Sequence, residues 1–294
     1  MIMDFKSILK NRQNQINQAI SDLLPKLNTE PPEIHEAMHY SMQGMGKRLR
    51  PVLLLAARDL FPSSIDPLPA AVAVECLHTY SLIHDDLPCM DNSHLRRGQT
   101  TSHVKFGEST ALLAGDALLT YAFFLISKHY KDVPKIACEM IYDLSLAGGS
   151  TQLIGGQIED LKHQNLPPSN EKLEFIHKNK TSALFSASLT MGLRMTNATE
   201  EKVEIARRLG FHIGLIFQIV DDILDITSSA DSLGKTPGLD IQNNTLTYPK
   251  VHGMKTSLEK VAEHTKTAIN LCKELGGRNE FLLEFIASLE HRLT

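Results

Sequence analysis

An all-α fold is predicted for this chain, a single-domain bundle of about ten or more helices. Three observations point to it. Apolar residues recur at helical spacing nearly throughout. No stretch alternates apolar and polar residues as a half-buried strand does. No glycine-rich nucleotide fingerprint or P-loop breaks the pattern.

The elements follow in order. The periodicity predicts helices over 4–23, 32–42, 51–60, 68–87, 108–128, 135–160, 170–195, 200–227, 255–275 and 279–291. The first is polar and rich in Asn and Gln, unlike a signal peptide. Pro31-Pro32 separates it from the second. Pro51 suits the first turn of the third, where its missing N–H costs nothing. A loop from Phe61 to Pro69 leads into the fourth, which Pro88 ends near Leu87, because proline disfavours helical geometry in the preceding residue. The fifth contains the longest apolar stretch, Ala111 to Ile126. Asp116 interrupts that stretch, which falls short of the ~20 residues a bilayer requires. It reads as a buried helix at a subunit contact, and no membrane span is expected. His163 to Ser169 divides the sixth and seventh helices. The segment from Ser228 to Thr247 is long for a loop in a compact domain; such loops are usually functional, and this one reads as a lid. No repeat or domain linker is visible, so residues 1–294 read as one domain.

Composition excludes some functions. Hydrophobic residues make up 42% and charged residues 22%, ordinary for a globular chain with a full core. The net charge of −4, without a strong basic block, carries no nucleic-acid signal. Cys76, Cys89, Cys138 and Cys272 are scattered, with no metal or redox spacing, as suits reduced thiols in a cytoplasm.

Two aspartate clusters dominate the chemistry. One is Asp85-Asp86-Leu87-Pro88-Cys89-Met90-Asp91, after the apolar run Ala71 to Ile83. The other is Asp221-Asp222-Ile223-Leu224-Asp225, after Phe211 to Val220. Burying ionised carboxylates is costly unless they are paired or bind a metal. An isolated Asp-Asp pair is an ordinary solvated helix end. Two in apolar contexts read as two halves of one metal and polyanion site. Oxygen ligands without Cys or His spacing favour a hard cation such as Mg²⁺, which takes one or two carboxylates and leaves its other positions to water and phosphate. Asp221 and Asp225 lie one turn apart on a helix face, with Phe217 and Gln218 on the same side. Asp91 is expected to return toward Asp85 after Pro88, and His78 lies two turns below Asp85.

Basic residues accompany the clusters. Gly46-Lys47-Arg48-Leu49-Arg50-Pro51 gathers Lys47 and Arg50 at a helix N-terminus, where free N–H groups favour anions. Arg96 and Arg97 follow the first cluster, and arginine can fork onto phosphate oxygens.

With these motifs the chain resembles the short-chain trans-isoprenyl diphosphate synthases, most of all the bacterial farnesyl diphosphate synthases. The matching residues are Gly46 to Pro51, His78, Asp85 to Asp91, Leu95 to Gly98, Gly155-Gly156-Gln157 with Asp160, Lys180-Thr181, Phe217-Gln218, Asp221 to Asp225, Gly234-Lys235 and Thr247-Tyr248-Pro249. They occur in the family's order over most of the chain. The resemblance implies the isoprenoid synthase fold, with helices around a deep apolar cavity, and a homodimer. It implies Mg²⁺, three ions per site with Mn²⁺ as a substitute, held by Asp85, Asp91 and Asp221 and supported by Asp86, Asp222 and Asp225. Arg96, Lys180 and Lys235 would contact the allylic diphosphate. Gly46, Lys47, Arg50, His78 and Arg97 belong to the implied isopentenyl diphosphate site. The carbonyl of Lys180, the hydroxyl of Thr181 and the amide of Gln218 would face the carbocation. The sequence departs from the family at Ser93 and His94, where many relatives carry aspartates, and at Leu239 and Thr245, where they carry lysines.

The implied reaction is head-to-tail condensation of isopentenyl diphosphate with an allylic diphosphate. The allylic diphosphate ionises, the double bond attacks the cation and a proton is lost. Dimethylallyl and geranyl diphosphate are the expected allylic substrates and farnesyl diphosphate (C15) the expected product. In the family, bulky residues just before the first cluster go with short products. Ser81 is one turn before Asp85 on nearly the same face, and Tyr80, next to it, reads as the cavity floor. The closest rival is a C20 synthase. A terpene cyclase usually carries an Asn/Asp-Ser/Thr-Glu second motif, and a non-catalytic partner subunit would be expected to have lost a cluster; neither fits as well.

Overall fold

The computed structural model describes residues 4–44, 46–164, 166–227 and 246–293. Among these are thirteen α-helices: α1 Phe5–Leu23, α2 Pro32–Gln43, α3 Leu49–Arg58, α4 Leu68–Asp85, α5 Ser102–Phe106, α6 Glu108–His129, α7 Pro134–Gly148, α8 Leu153–His163, α9 Asn170–Ile176, α10 Ala183–Arg194, α11 Glu200–Thr227, α12 Tyr248–Leu275 and α13 Glu280–Glu290. The all-helical prediction holds. The contacts divide the chain into two compact units, Met1–Leu55 with Asp66–Ile141, and Ala56–Ile65 with Tyr142–Thr294.

In the first unit α4 packs chiefly on α6. From Pro69 to Leu77 every residue of α4 is buried, so this helix is apolar all round rather than amphipathic. Tyr130, just beyond α6, ties the two together: its hydroxyl donates to the Asp66 carbonyl at 2.7 Å and accepts from the Ala70 N–H at 3.1 Å. In α6 the face with Ala114, Leu118, Ala122 and Leu125 is buried, while Leu112, Leu113 and Phe124 are exposed. Its 22 residues make it, among the described residues, long and apolar enough to cross a membrane by length and composition. This corrects the expectation that the stretch is too short, which counted only its apolar core.

In the second unit α11 packs against both α10 and α12. Three boundaries differ from the expected ones. The predicted helix over 135–160 breaks into α7 and α8, where Gln152 adopts φ −123° and ψ −104°. The helix expected over 170–195 is interrupted by a π-helical turn, His177–Ser182. The helix expected from 255 begins at Tyr248 and kinks at Gly253, whose φ is +77°. In the first unit two elements were not foreseen, α5 and a hairpin of β1 Leu95–Arg96 with β2 Gln99–Thr100. Strands of two residues are too short to produce an alternating pattern.

Candidate active site

The first aspartate cluster forms where α4 stops. Asp85 is its last residue and Asp86 caps it. The chain then turns at Pro88 and returns: the Asp91 N–H donates to the Asp85 carbonyl at 2.9 Å, and Ser93 N–H to the Asp86 carbonyl at 3.2 Å. Carboxylates at a helix C-terminus oppose the helix dipole and need a cation nearby. Arg96 supplies it. Its Nε donates to both oxygens of the buried Asp86, at 2.9 and 2.8 Å, and its Nη2 to Oδ1 at 2.7 Å. Burial opposes the Arg96 charge, but Asp86, then Asp85 and Asp91, more than offset it and hold the guanidinium above its ordinary pKa. Asp85 and Asp91 are half-buried.

The basic residues gather in the same unit. Arg48 is buried at positive φ (+51°) and pairs with Glu75 of α4 at 2.7 Å. Arg50 Nη1 lies 3.3 Å from His78 Nε2. Burial first, then the charges of Arg50, Arg97, Arg96 and Arg48, push the His78 pKa well down. Its ring is therefore neutral and can accept from Arg50. A Cβ on Gly46 would stand 2.5 Å from Arg97 Nη1, so a side chain there would displace the guanidinium. Lys47 is exposed, and its carbonyl accepts from Gln13 at 2.9 Å.

Tyr80 is buried, with its ring edge-on to His84 at 5.4 Å. Burial, then Asp85 and Asp116, raise its hydroxyl pKa. Ser81 is half-buried, and its hydroxyl donates to the His78 carbonyl at 2.8 Å.

The second cluster lies inside α11, in the second unit. Asp222 is buried and accepts from Gln218 Nε2 at 2.8 Å and from the Tyr248 N–H at 2.9 Å. Thr181 Oγ1 donates to Gln218 Oε1 at 2.7 Å. Asp222, Gln218 and Thr181 thus form one chain of hydrogen bonds, which assigns the orientation of the Gln218 amide. Asp225 is buried. Asp221 is half-buried and pairs with Arg292 at 2.6 Å.

The π-turn positions Lys180 and Thr181. Such turns recur at functional sites. Lys180 Nζ pairs with Asp160 of α8 at 2.7 Å. A Cβ on Gly156 would meet the Lys180 backbone nitrogen at 2.3 Å, so only glycine lets α8 approach this closely. His177 opens the turn, buried, with its ring 5.2 Å from Tyr248 and its Nε2 3.6 Å from Asp222. Burial lowers its pKa to about 3; Lys180 acts in the same sense and Asp160 against it.

Lys235, Leu239, Thr245 and most of the expected lid lie outside the described residues. No three His, Cys, Asp or Glu side chains form a ready metal cage among the described residues. The donors present still fit Mg²⁺, because they are carboxylate oxygens and this ion needs only one or two of them. Sequence reasoning missed Arg292, which belongs to no motif, and His177, whose only signal was its place three residues before Lys180.

A family model described as "Polyprenyl synthetase" matches residues 31–277. The chain belongs to the polyprenyl synthetase family. It is a short-chain trans-prenyltransferase. This polyprenyl synthetase is 40% identical over 293 residues to farnesyl diphosphate synthase from Bacillus subtilis, covering 97% of this chain and 98% of that one. It is 45% identical over 263 residues to the heterodimeric geranylgeranyl pyrophosphate synthase large subunit 1, chloroplastic, of Arabidopsis thaliana, covering 87% and 70%. Among solved structures, it resembles the geranyltransferase from Helicobacter pylori complexed with magnesium and isoprenyl diphosphate. The TM-score is 0.85 at 34% identity, covering 100% of this chain and 98% of that one.

Proposed function

We propose that this prenyltransferase is a magnesium-dependent farnesyl diphosphate synthase. It adds isopentenyl diphosphate head-to-tail to dimethylallyl and then geranyl diphosphate and stops at C15. The observation that carries the product length is Tyr80, a buried ring in the last two turns of α4 before Asp85. A phenol ring there fills space that a smaller side chain would leave to the growing chain. The C20 reading has support in the 45% identity to the Arabidopsis synthase. Incubation with dimethylallyl and isopentenyl diphosphate, followed by chain-length analysis, decides between them. Mainly C20 product would overturn the farnesyl reading.

Asp85 and Asp91 in the first unit, and Asp221 in the second, are the proposed magnesium ligands, three ions in all, with Mn²⁺ as a substitute. Bound magnesium neutralises the allylic diphosphate and makes it a better leaving group. Asp86 holds Arg96, whose charge then acts on that diphosphate; Lys180 and Lys235 complete its contacts. Lys47, Arg50, His78 and Arg97 bind isopentenyl diphosphate, and Gly46 leaves Arg97 room.

The carbocation is met by dipoles rather than by a nucleophile. Thr181 donates its hydroxyl hydrogen bond to Gln218, which leaves the hydroxyl lone pairs for the cation. Gln218 is anchored in turn through its NH₂ to Asp222. Fixed dipoles of this kind need no reorganisation as charge develops. The Lys180 carbonyl joins them, and the chemistry requires that water be kept from the cation. Asp225 supports the second cluster.

A homodimer would cover Leu112, Leu113 and Phe124 of α6, large apolar side chains exposed in the monomer. Residues 1–294 are taken as one functional domain, since the family match runs from 31 to 277 through both units. The four free cysteines suit a cytoplasm.

A further inference from the structure

We infer that Arg292 is a built-in counter-ion for Asp221, holding that carboxylate until magnesium takes its place. The inference deepens the proposed function and rests on Asp221 as a metal ligand.

Arg292 Nη2 donates to Asp221 Oδ1 at 2.6 Å. The guanidinium carbon stands 5.2 Å over the ring of Phe217, one turn before Asp221 on α11. Two interactions, one ionic and one with an aromatic face, therefore bring this cation to the second cluster.

The cluster needs one. Asp221, Asp222 and Asp225 lie within five residues, and like charges at that spacing repel one another. Asp222 accepts from Gln218 and from the Tyr248 amide. Arg292 is the cation on Asp221, where the metal is proposed to bind. The guanidinium takes one lone pair of Oδ1, and its charge repels an approaching metal ion. Arginine and metal therefore compete for this carboxylate.

The grip is built to release. Arg96 holds Asp86 through three hydrogen bonds to both oxygens. Arg292 holds Asp221 through one, and its Nη1 is buried without a hydrogen-bond partner among the described residues. A guanidinium that leaves one nitrogen unsatisfied is not in its best geometry. Asp86 is locked, whereas Asp221 is reserved.

The test is Mn²⁺ binding to the full chain without diphosphate, read by electron paramagnetic resonance, in the wild type and in Arg292→Gln, Arg292→Lys and Asp221→Ala. Removing the competing charge should tighten the Asp221-dependent site about fivefold or more in Arg292→Gln. Arg292→Lys, which keeps the charge, should stay near the wild-type affinity. Melting curves establish that each variant is folded; if Arg292→Gln is not, an Arg292→Lys affinity equal to wild type supports the inference and a fivefold gain overturns it. Unchanged affinity in a folded Arg292→Gln, with the site still lost in Asp221→Ala, overturns the counter-ion and leaves the metal site standing. Mn²⁺ binding unaffected by Asp221→Ala overturns the metal reading and the inference together.

Discussion

The two aspartate clusters look alike on paper and are built differently. Each contains an Asp-Asp pair, and in each the second aspartate is the buried one. In the first unit that aspartate sits at a helix C-terminus, where the dipole is unfavourable, and a cation from β1 clamps it. In the second it sits inside a helix, held by a side-chain amide and a backbone N–H. A charge pair and a set of neutral hydrogen bonds can bury the same residue type. They differ in what they organise. Asp86 fixes a charge, Arg96, whereas Asp222 fixes an orientation, that of Gln218 and through it Thr181.

The largest effect tests what the clusters share. Asp85→Ala and Asp221→Ala should each lower turnover about a thousandfold or more, since each ~1.4 kcal/mol on the barrier is a factor of ten. Circular dichroism should stay native. Full turnover in EDTA would remove the metal from both clusters at once.

Product length should be a property of the first unit. Tyr80→Ala should shift product from C15 toward C20 or longer, at a stability cost of ~3 kcal/mol for the lost ring. Product analysis on a folded, active variant checks it; an unchanged C15 product would show that Tyr80 is not the floor.

Salt separates the two buried aspartates more finely. In Asp222→Asn the new NH₂ faces a donor, which costs ~1–3 kcal/mol. Relief of the repulsion from Asp221 and Asp225 partly offsets that loss, and salt screens the relief, so the loss should not shrink in high salt. The loss in Asp86→Asn comes from weakening a partly exposed charge pair and should shrink in high salt. Urea titrations at two salt concentrations measure both, and identical salt responses would erase the distinction.

The smallest effect concerns acid. In the second unit, His212 and His264 share a hydrogen bond between their Nδ1 atoms at 2.9 Å, which requires at least one neutral ring. Burial first, then His264 and Arg208, lower the His212 pKa to about 4 against the pull of Glu263. The folded value lies below the ordinary 6.5, so the unfolded chain takes up the proton more readily. Stability contributed by this pair is complete above pH 6.5 and is lost as pH falls toward 4. The melting temperature should drop over that interval, and less steeply in His212→Gln.

The local sequence determined a good deal. Helical spacing identified most helices, because a buried face imprints its period on the chain. Pro88 told where α4 ends, and the return of Asp91 to Asp85 followed from it. The motifs named the residues of both clusters. What the sequence left open was set by partners distant along the chain. The break between α7 and α8 and the π-turn at His177 are small backbone departures inside helical periodicity, so no local pattern announced them. Gly156 was legible as a motif glycine, but its reason is the Lys180 backbone 2.3 Å from where a Cβ would stand. Arg96 was expected to meet substrate, and its clamp on Asp86 emerged only in three dimensions. Arg292 lies 71 residues from Asp221 and in no motif. Periodicity records which face of a helix is buried; which charge meets which is decided by packing between segments that share no local signal.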